Sequence, residues 1–141
     1  MPVEAKVICD SLGYSGVRLT TVEVKLHRFV LAELNTHRQF SRNSASSRAI
    51  PVEKLIQRVR EDPALPLHWG ANQKGMQAEA ELSKAVVENC IKAWLYARND
   101  AVQAVENLTK YGLHKQVANR LLEPFLWHTV IISANLKKQK R

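Results

Sequence analysis

Between Asn35 and Arg48, fourteen residues hold three arginines, four serines, two asparagines and one histidine, and no apolar face runs through them. Arg38, Arg42 and Arg48 offer fork-shaped donors that match phosphate or carboxylate oxygens. Ser41, Ser44, Ser46 and Ser47 set hydroxyls between them, and backbone N–H groups can join if the segment folds into a concavity. The chemistry such a set could do is capture of an anion, in particular a phosphorylated ligand. The plain alternative is a solvated surface loop. A serine nucleophile would need a base within hydrogen-bond reach, and the closeness of His37 in sequence does not supply that geometry. A second candidate is Arg120 in "HKQVANRLLEP", with Gln116 and Asn119 near it. There the alternative is an amphipathic helix with Leu121 and Leu122 packed inward and Arg120 in solvent.

Other chemistries lack their residues. His27, His37, His68, His114 and His128 form no HExxH or other close pairing, and Cys9 and Cys90 are far apart, so no metal site is expected. No GxGxxG or P-loop glycine pattern offers a nucleotide cradle, and no GxSxG elbow offers a hydrolase serine. The two cysteines read as core residues of a reduced, intracellular protein.

The elements that would position these groups follow from pattern. The 141 residues, 45% hydrophobic, favour one domain with a real core. "AKVICDS" (5–11) and "RLTTVEVKL" (18–26) predict strands joined by the turn "LGYSG". "FVLAELN" (29–35) predicts a short helix, and the polar run after it a loop. Pro51 suits the first turn of a helix that continues through "VEKLIQRVRE" to Pro63. A loop with Pro63, Pro66, Gly70 and Gly75 follows. The longest periodic segment, about 79–111, carries an apolar stripe of Leu82, Val86, Cys90, Ala93, Ala97, Ala101, Val105 and Leu108, with Gly112 as its stop. A helix from 114 to 123 ends at Pro124, "WHTVIISA" (127–134) predicts a strand, and 135–141 a basic tail. The expected class is α+β, a small, mainly antiparallel sheet covered by helices.

The net charge is +8, but four of the 21 Lys and Arg lie in the closing "KKQKR", and the other 17 face 13 Asp and Glu. That milder excess fits an anionic small molecule as well as nucleic acid. No basic n-region with a long apolar run opens the chain, and no stretch is long and apolar enough for a membrane span. A cytoplasmic protein is the expectation.

"THRQFSRNSASSR" resembles the signature of flavin-dependent thymidylate synthases, which reads Arg-His-Arg, seven residues, then Ser. His37, Arg38 and Ser46 match it, Asn43 and Arg48 fall where the wider motif has Asn and Arg, and Thr36 stands where the first Arg would be. "HWGANQKGMQA" and "GLHKQVANRLLEPFLWHTVIISA" are similar to later blocks of a bacterial and phage subgroup, so the resemblance covers about residues 5 to 134. It implies synthesis of dTMP from dUMP, with methylenetetrahydrofolate as one-carbon donor, FAD as hydride carrier and NADPH as its reductant. It also implies a homotetramer with sites at subunit interfaces. His37, Arg38 and Asn43 would contact FAD; Glu33, Ser46, Ser47, Arg48 and Arg120 would contact dUMP. The family continues beyond Ala134 with a block that includes the arginine polarising the uracil, where this chain reads "NLKKQKR". No catalytic residue is therefore assigned, and weak or absent turnover is expected. The competing readings are a basic nucleic-acid-binding protein and a non-catalytic remnant of the synthase fold. The first finds few aromatics among its basic residues and no nucleic-acid motif.

Overall fold

The computed structural model describes residues 3–136. Strands β1 (Glu4–Leu12) and β2 (Arg18–His27) form an antiparallel hairpin, with Ile8 bulged out between the paired residues Val7 and Cys9. Its turn is closed by the Gly13 N–H to the Val17 carbonyl at 2.9 Å, with Gly16 at φ 76°. Beyond the turn the exposed Asp10 carboxylate accepts from Arg18 Nε at 2.9 Å and from Thr20 Oγ1 at 2.9 Å. These bonds, Arg18's first, lower its pKa to about 2.

β2 then pairs along its whole length with β4 (Trp127–Leu136), and β3 (Ser41–Ser44) takes the other side of β4. The sheet order is β1-β2-β4-β3, antiparallel at every step. β3 corrects the loop expected there. Four polar residues carry no alternation signal, and what makes them a strand is the edge of β4, where Arg42 pairs with Ile132. The tail also begins later than expected: Asn135 and Leu136 still pair with Leu19 and Arg18, and the rest of it, 137–141, lies outside the described residues.

A 3-10 turn (Arg28–Val30) leads into α1 (Leu31–Thr36). Pro51 sits immediately before α2 (Val52–Glu61), whose Val52, Leu55, Ile56 and Val59 are buried at helical spacing. Arg98 Nη1 donates to the carbonyls of Val59 at 2.9 Å and Arg60 at 3.2 Å, satisfying two of the last acceptors of α2.

The long helix α3 is Lys84–Lys110 and starts five residues later than expected. Residues 79–83 are held back by a bridge between Gly70 and Glu81 and by the Leu82 N–H to the Trp69 carbonyl at 2.9 Å. Its expected stripe holds only in the second half, where Val105 is fully buried, joined by Val102. Val86, Ala93 and Ala97 face solvent, while Ile91, Trp94, Leu95 and Arg98 are half-buried. Alanine counts as apolar by type, yet one methyl gains little from burial compared with an indole. The large Trp94 therefore sets the rotation of the helix. Gly112, at φ 81°, ends α3, and the Leu113 N–H reaches back to the Leu108 carbonyl at 3.0 Å.

α4 (Lys115–Ala118) opens with His114 Nδ1 accepting from the Gln116 N–H at 3.2 Å and runs into a 3-10 segment, Asn119–Phe125. Pro124 lies inside that segment rather than ending it. The core joins α2, α3 and the 114–126 stretch through Leu55, Val59, Val102, Val105, Ala118 and Leu122. In the sheet, Leu26 and Val130 are buried as well. The cover stops short of β1, every residue of which is exposed.

Candidate functional site

Ser46, Ser47 and Arg48 occupy a tight bend. Ser46 is extended and Ser47–Ala49 make a single 3-10 turn, closed by the Ala49 N–H to the Ser46 carbonyl at 3.0 Å. Within the bend Ser47 is buried, while Ser46 and Arg48 are exposed. Ser47 Oγ donates to Glu123 Oε1 at 2.6 Å, so its hydroxyl points into the protein. The neighbouring Asn119 is fully buried, and its Nδ2 donates to the carbonyls of Ser47 at 2.9 Å and Ile50 at 3.0 Å.

Arg120 arrives on the same segment. Its Nη1 lies 3.0 Å from Glu123 Oε1, an ion pair with Arg120 about half exposed. The Glu123 carboxylate also receives Arg28 Nη2 at 3.3 Å, and Arg28 Nη1 lies 3.0 Å from His128 Nε2. One carboxylate thus faces two guanidinium groups and a hydroxyl. Burial, then the Arg28 charge, lowers the pKa of His128, with Glu123 opposing the shift. The fold therefore brings together Ser46, Ser47, Arg48 and Arg120, all picked out by sequence. Behind them stand Asn119, named with Arg120 in the sequence, and two residues the fold adds, Glu123 and Arg28. The signal for two of these was present in "NRLLEP", where Asn and Glu lie four apart around Arg120.

His37 and Arg38 sit at the opposite end of β3, with Asn43 inside the strand and Glu33 on α1. His37 follows α1, its ring stacked on Phe40 with centroids 6.0 Å apart. Arg38, Gln39, Phe40 and Ser41 line an open cleft of about 260 Å³ against Ser133 and Asn135 of β4. Arg42 does not serve as the free anion donor its type suggested. Its Nε donates to Asn35 Oδ1 at 2.9 Å and its Nη1 to the His37 carbonyl, tying the end of α1 to β3. Arg38 and Arg48 make no hydrogen bond or ion pair among the described residues. Asn43 is exposed on β3 and Glu33 exposed on α1, and Thr36 turns its hydroxyl back to the Glu33 carbonyl at 2.7 Å. A four-residue strand spans roughly 13 Å, which separates the Arg38 end from the Ser46 end.

A larger cavity of about 780 Å³ opens between α2 and the end of α3, lined by Ile56, Arg60, Glu106 and Thr109 among others. None of the expected site residues borders it. No group of three His, Cys, Asp or Glu side chains among the described residues is placed to hold a metal ion. No helix among them is long and apolar enough to cross a membrane.

Neither a protein-family model nor a curated protein matches the chain. Solved structures do. The chain superposes on a UMP/dUMP methylase, PolB from Streptomyces cacaoi, bound with 5-Br UMP, at a TM-score of 0.72. That match covers 95% of this chain and 72% of PolB, at 14% identity. With PolB bound to 5-Br dUMP the TM-score is 0.73, at 13% identity, over 95% of this chain and 73% of the other. The fold is the one PolB has. At this identity the likeness establishes the architecture, and the site must be argued from the residues of this chain.

Proposed function

We propose that the chain is a dUMP methylase of the flavin-dependent thymidylate synthase kind. It would convert dUMP to dTMP with methylenetetrahydrofolate, FAD and NADPH, as a homotetramer. The observation that carries this reading is the meeting of the Ser46–Arg48 bend with Arg120, two cationic pieces far apart in sequence and joined through Asn119 and Glu123. The nucleotides bound by PolB, which shares the fold, support a uracil nucleotide as the ligand.

In this reading the Arg48 and Arg120 guanidiniums and the Ser46 hydroxyl hold the dUMP phosphate. Charge-assisted bonds to a dianion are the strongest such donors make. Ser47 would contribute its backbone N–H, since its hydroxyl is engaged by Glu123. Glu33, on α1, would approach the nucleotide from the other side. The cleft at Arg38 and Phe40 pairs a cation with an aromatic ring and suits a phosphate-bearing aromatic cofactor, to which His37, stacked on Phe40, and Asn43, further along β3, would add contacts. Bound there, FAD would supply the hydride for the one-carbon unit donated by the folate, and NADPH would restore it. The separation of the two ends along β3 fits sites completed by a second copy of the chain.

The test is binding. The purified chain is titrated with dUMP by calorimetry, and its visible absorbance is recorded after mixing with FAD and gel filtration. A retained flavin spectrum and saturable dUMP binding are expected. A colourless protein that ignores dUMP but shifts DNA with a steep salt dependence would instead establish the nucleic-acid reading.

A further inference from the structure

We propose that Asn119 is a positioning residue that sets the phosphate-holding shape of the Ser46–Arg48 bend; this rests on the reading of that bend as the dUMP phosphate site. Asn119 is fully buried, and its one amide nitrogen donates to two carbonyls, Ser47 at 2.9 Å and Ile50 at 3.0 Å. Those two carbonyls bracket the turn. Both acceptors fix the orientation of the amide, because the flipped side chain would set its own oxygen against two carbonyl oxygens. Its Oδ1 is buried without a hydrogen-bond partner, so only the donor side is satisfied.

Three consequences follow from that one group. The Ser47 and Ile50 carbonyls are turned inward, away from any anion. Ser47 is drawn in far enough for its hydroxyl to reach Glu123 at 2.6 Å, which leaves Ser46 and Arg48 as the outward flanks. And Arg120, the next residue after Asn119, is carried by the same backbone that pins the bend. The spacing between Arg120 and the Ser46–Arg48 donors is therefore set through Asn119. Sites of this kind lose function when donors drift by about half an ångström, because a bidentate grip on phosphate needs all of them at once.

The experiment compares affinity for dUMP with affinity for deoxyuridine, which lacks the phosphate, in the full chain. Asn119→Asp keeps the shape but removes both donated bonds, and Asn119→Ser keeps one donor on a smaller side chain. Leu122→Ala, in the same segment and fully buried, serves as a variant that destabilises without removing a hydrogen bond to the bend. We expect the preference for dUMP over deoxyuridine to fall about tenfold in Asn119→Asp, which is one lost increment of about 1.4 kcal/mol. Asn119→Ser should fall between that and the parent, and Leu122→Ala should keep the parent ratio. An unchanged ratio in Asn119→Ser, beside a parent that prefers dUMP, overturns the positioning role and spares the phosphate site. An equal fall in Leu122→Ala also overturns it, since the ratio would then track stability. A parent that binds deoxyuridine as well as dUMP removes the phosphate reading itself, and the positioning role with it.

Discussion

Ser47 Oγ and Glu123 Oε1 meet at 2.6 Å across 76 residues of sequence, and this bond ties the polar bend to the last helical segment. A buried hydroxyl donating to a carboxylate is worth more than a neutral pair, because the donor stabilises charge held partly away from water. Ser47→Ala should therefore cost about 1.5–3 kcal/mol of folding stability, read as a lower urea midpoint with an unchanged slope. Glu123→Ala should cost more, since it also leaves Arg28, mostly buried, without its carboxylate. A Ser47→Ala midpoint equal to that of the parent would show that Ser47 contributes no such bond.

His128 makes stability pH-dependent. Its pKa in the folded chain lies below the ordinary 6.5, through burial first and then through Arg28. Sign follows from proton uptake: below about pH 6.5 the unfolded chain binds the proton and the folded chain resists it. The stabilising contribution is full above that value. It is lost as pH falls from 6.5 toward the lowered folded pKa. Urea midpoints measured from pH 7.5 to 5 should decline, and His128→Asn should flatten that decline. Equal slopes in parent and variant would place the titration elsewhere.

Arg42 offers a way to separate the two ends of β3. Its guanidinium holds Asn35 and the His37 carbonyl, and so fixes the approach to Arg38. On the proposed assignment, Arg42→Ala should lower flavin retention several-fold, while dUMP affinity, assigned there to the Ser46 end, changes little. The comparison needs only the absorbance of the gel-filtered protein and a dUMP titration of the same sample. A parallel loss of both would mean that the two ends behave as one unit.

Much of this was legible in sequence because it rests on repeated local signals. The β1–β2 hairpin follows from β-branched strands around a glycine turn, and α2 from Pro51 and a four-residue apolar spacing. What was missed depends on partners distant in sequence. β3 is a strand only because β4 offers an edge. The first half of α3 turns according to where Trp94 packs, which no residue count reveals. The bend at Ser46–Arg48 was visible as a run of donors. That Ser47 faces inward and Arg42 serves backbone carbonyls could not be read from the run, because the same residue types can point either way. Asn119 and Glu123 were visible in "NRLLEP" beside Arg120, but not their inward role: a polar residue in an amphipathic segment reads as solvated until the fold encloses it.

The strand order carries a consequence for how the protein is made. A ribosome delivers the β1–β2 hairpin first, and its two strands can zip together at once. β3 emerges soon after but has no neighbour to join, because its place is on the far edge of β4, which is synthesised some eighty residues later. Until then the bend beyond β3 lacks Asn119 and Glu123 as well. The nascent chain must carry this Arg-rich stretch unpaired until β4 emerges, and the candidate phosphate site can close only after that.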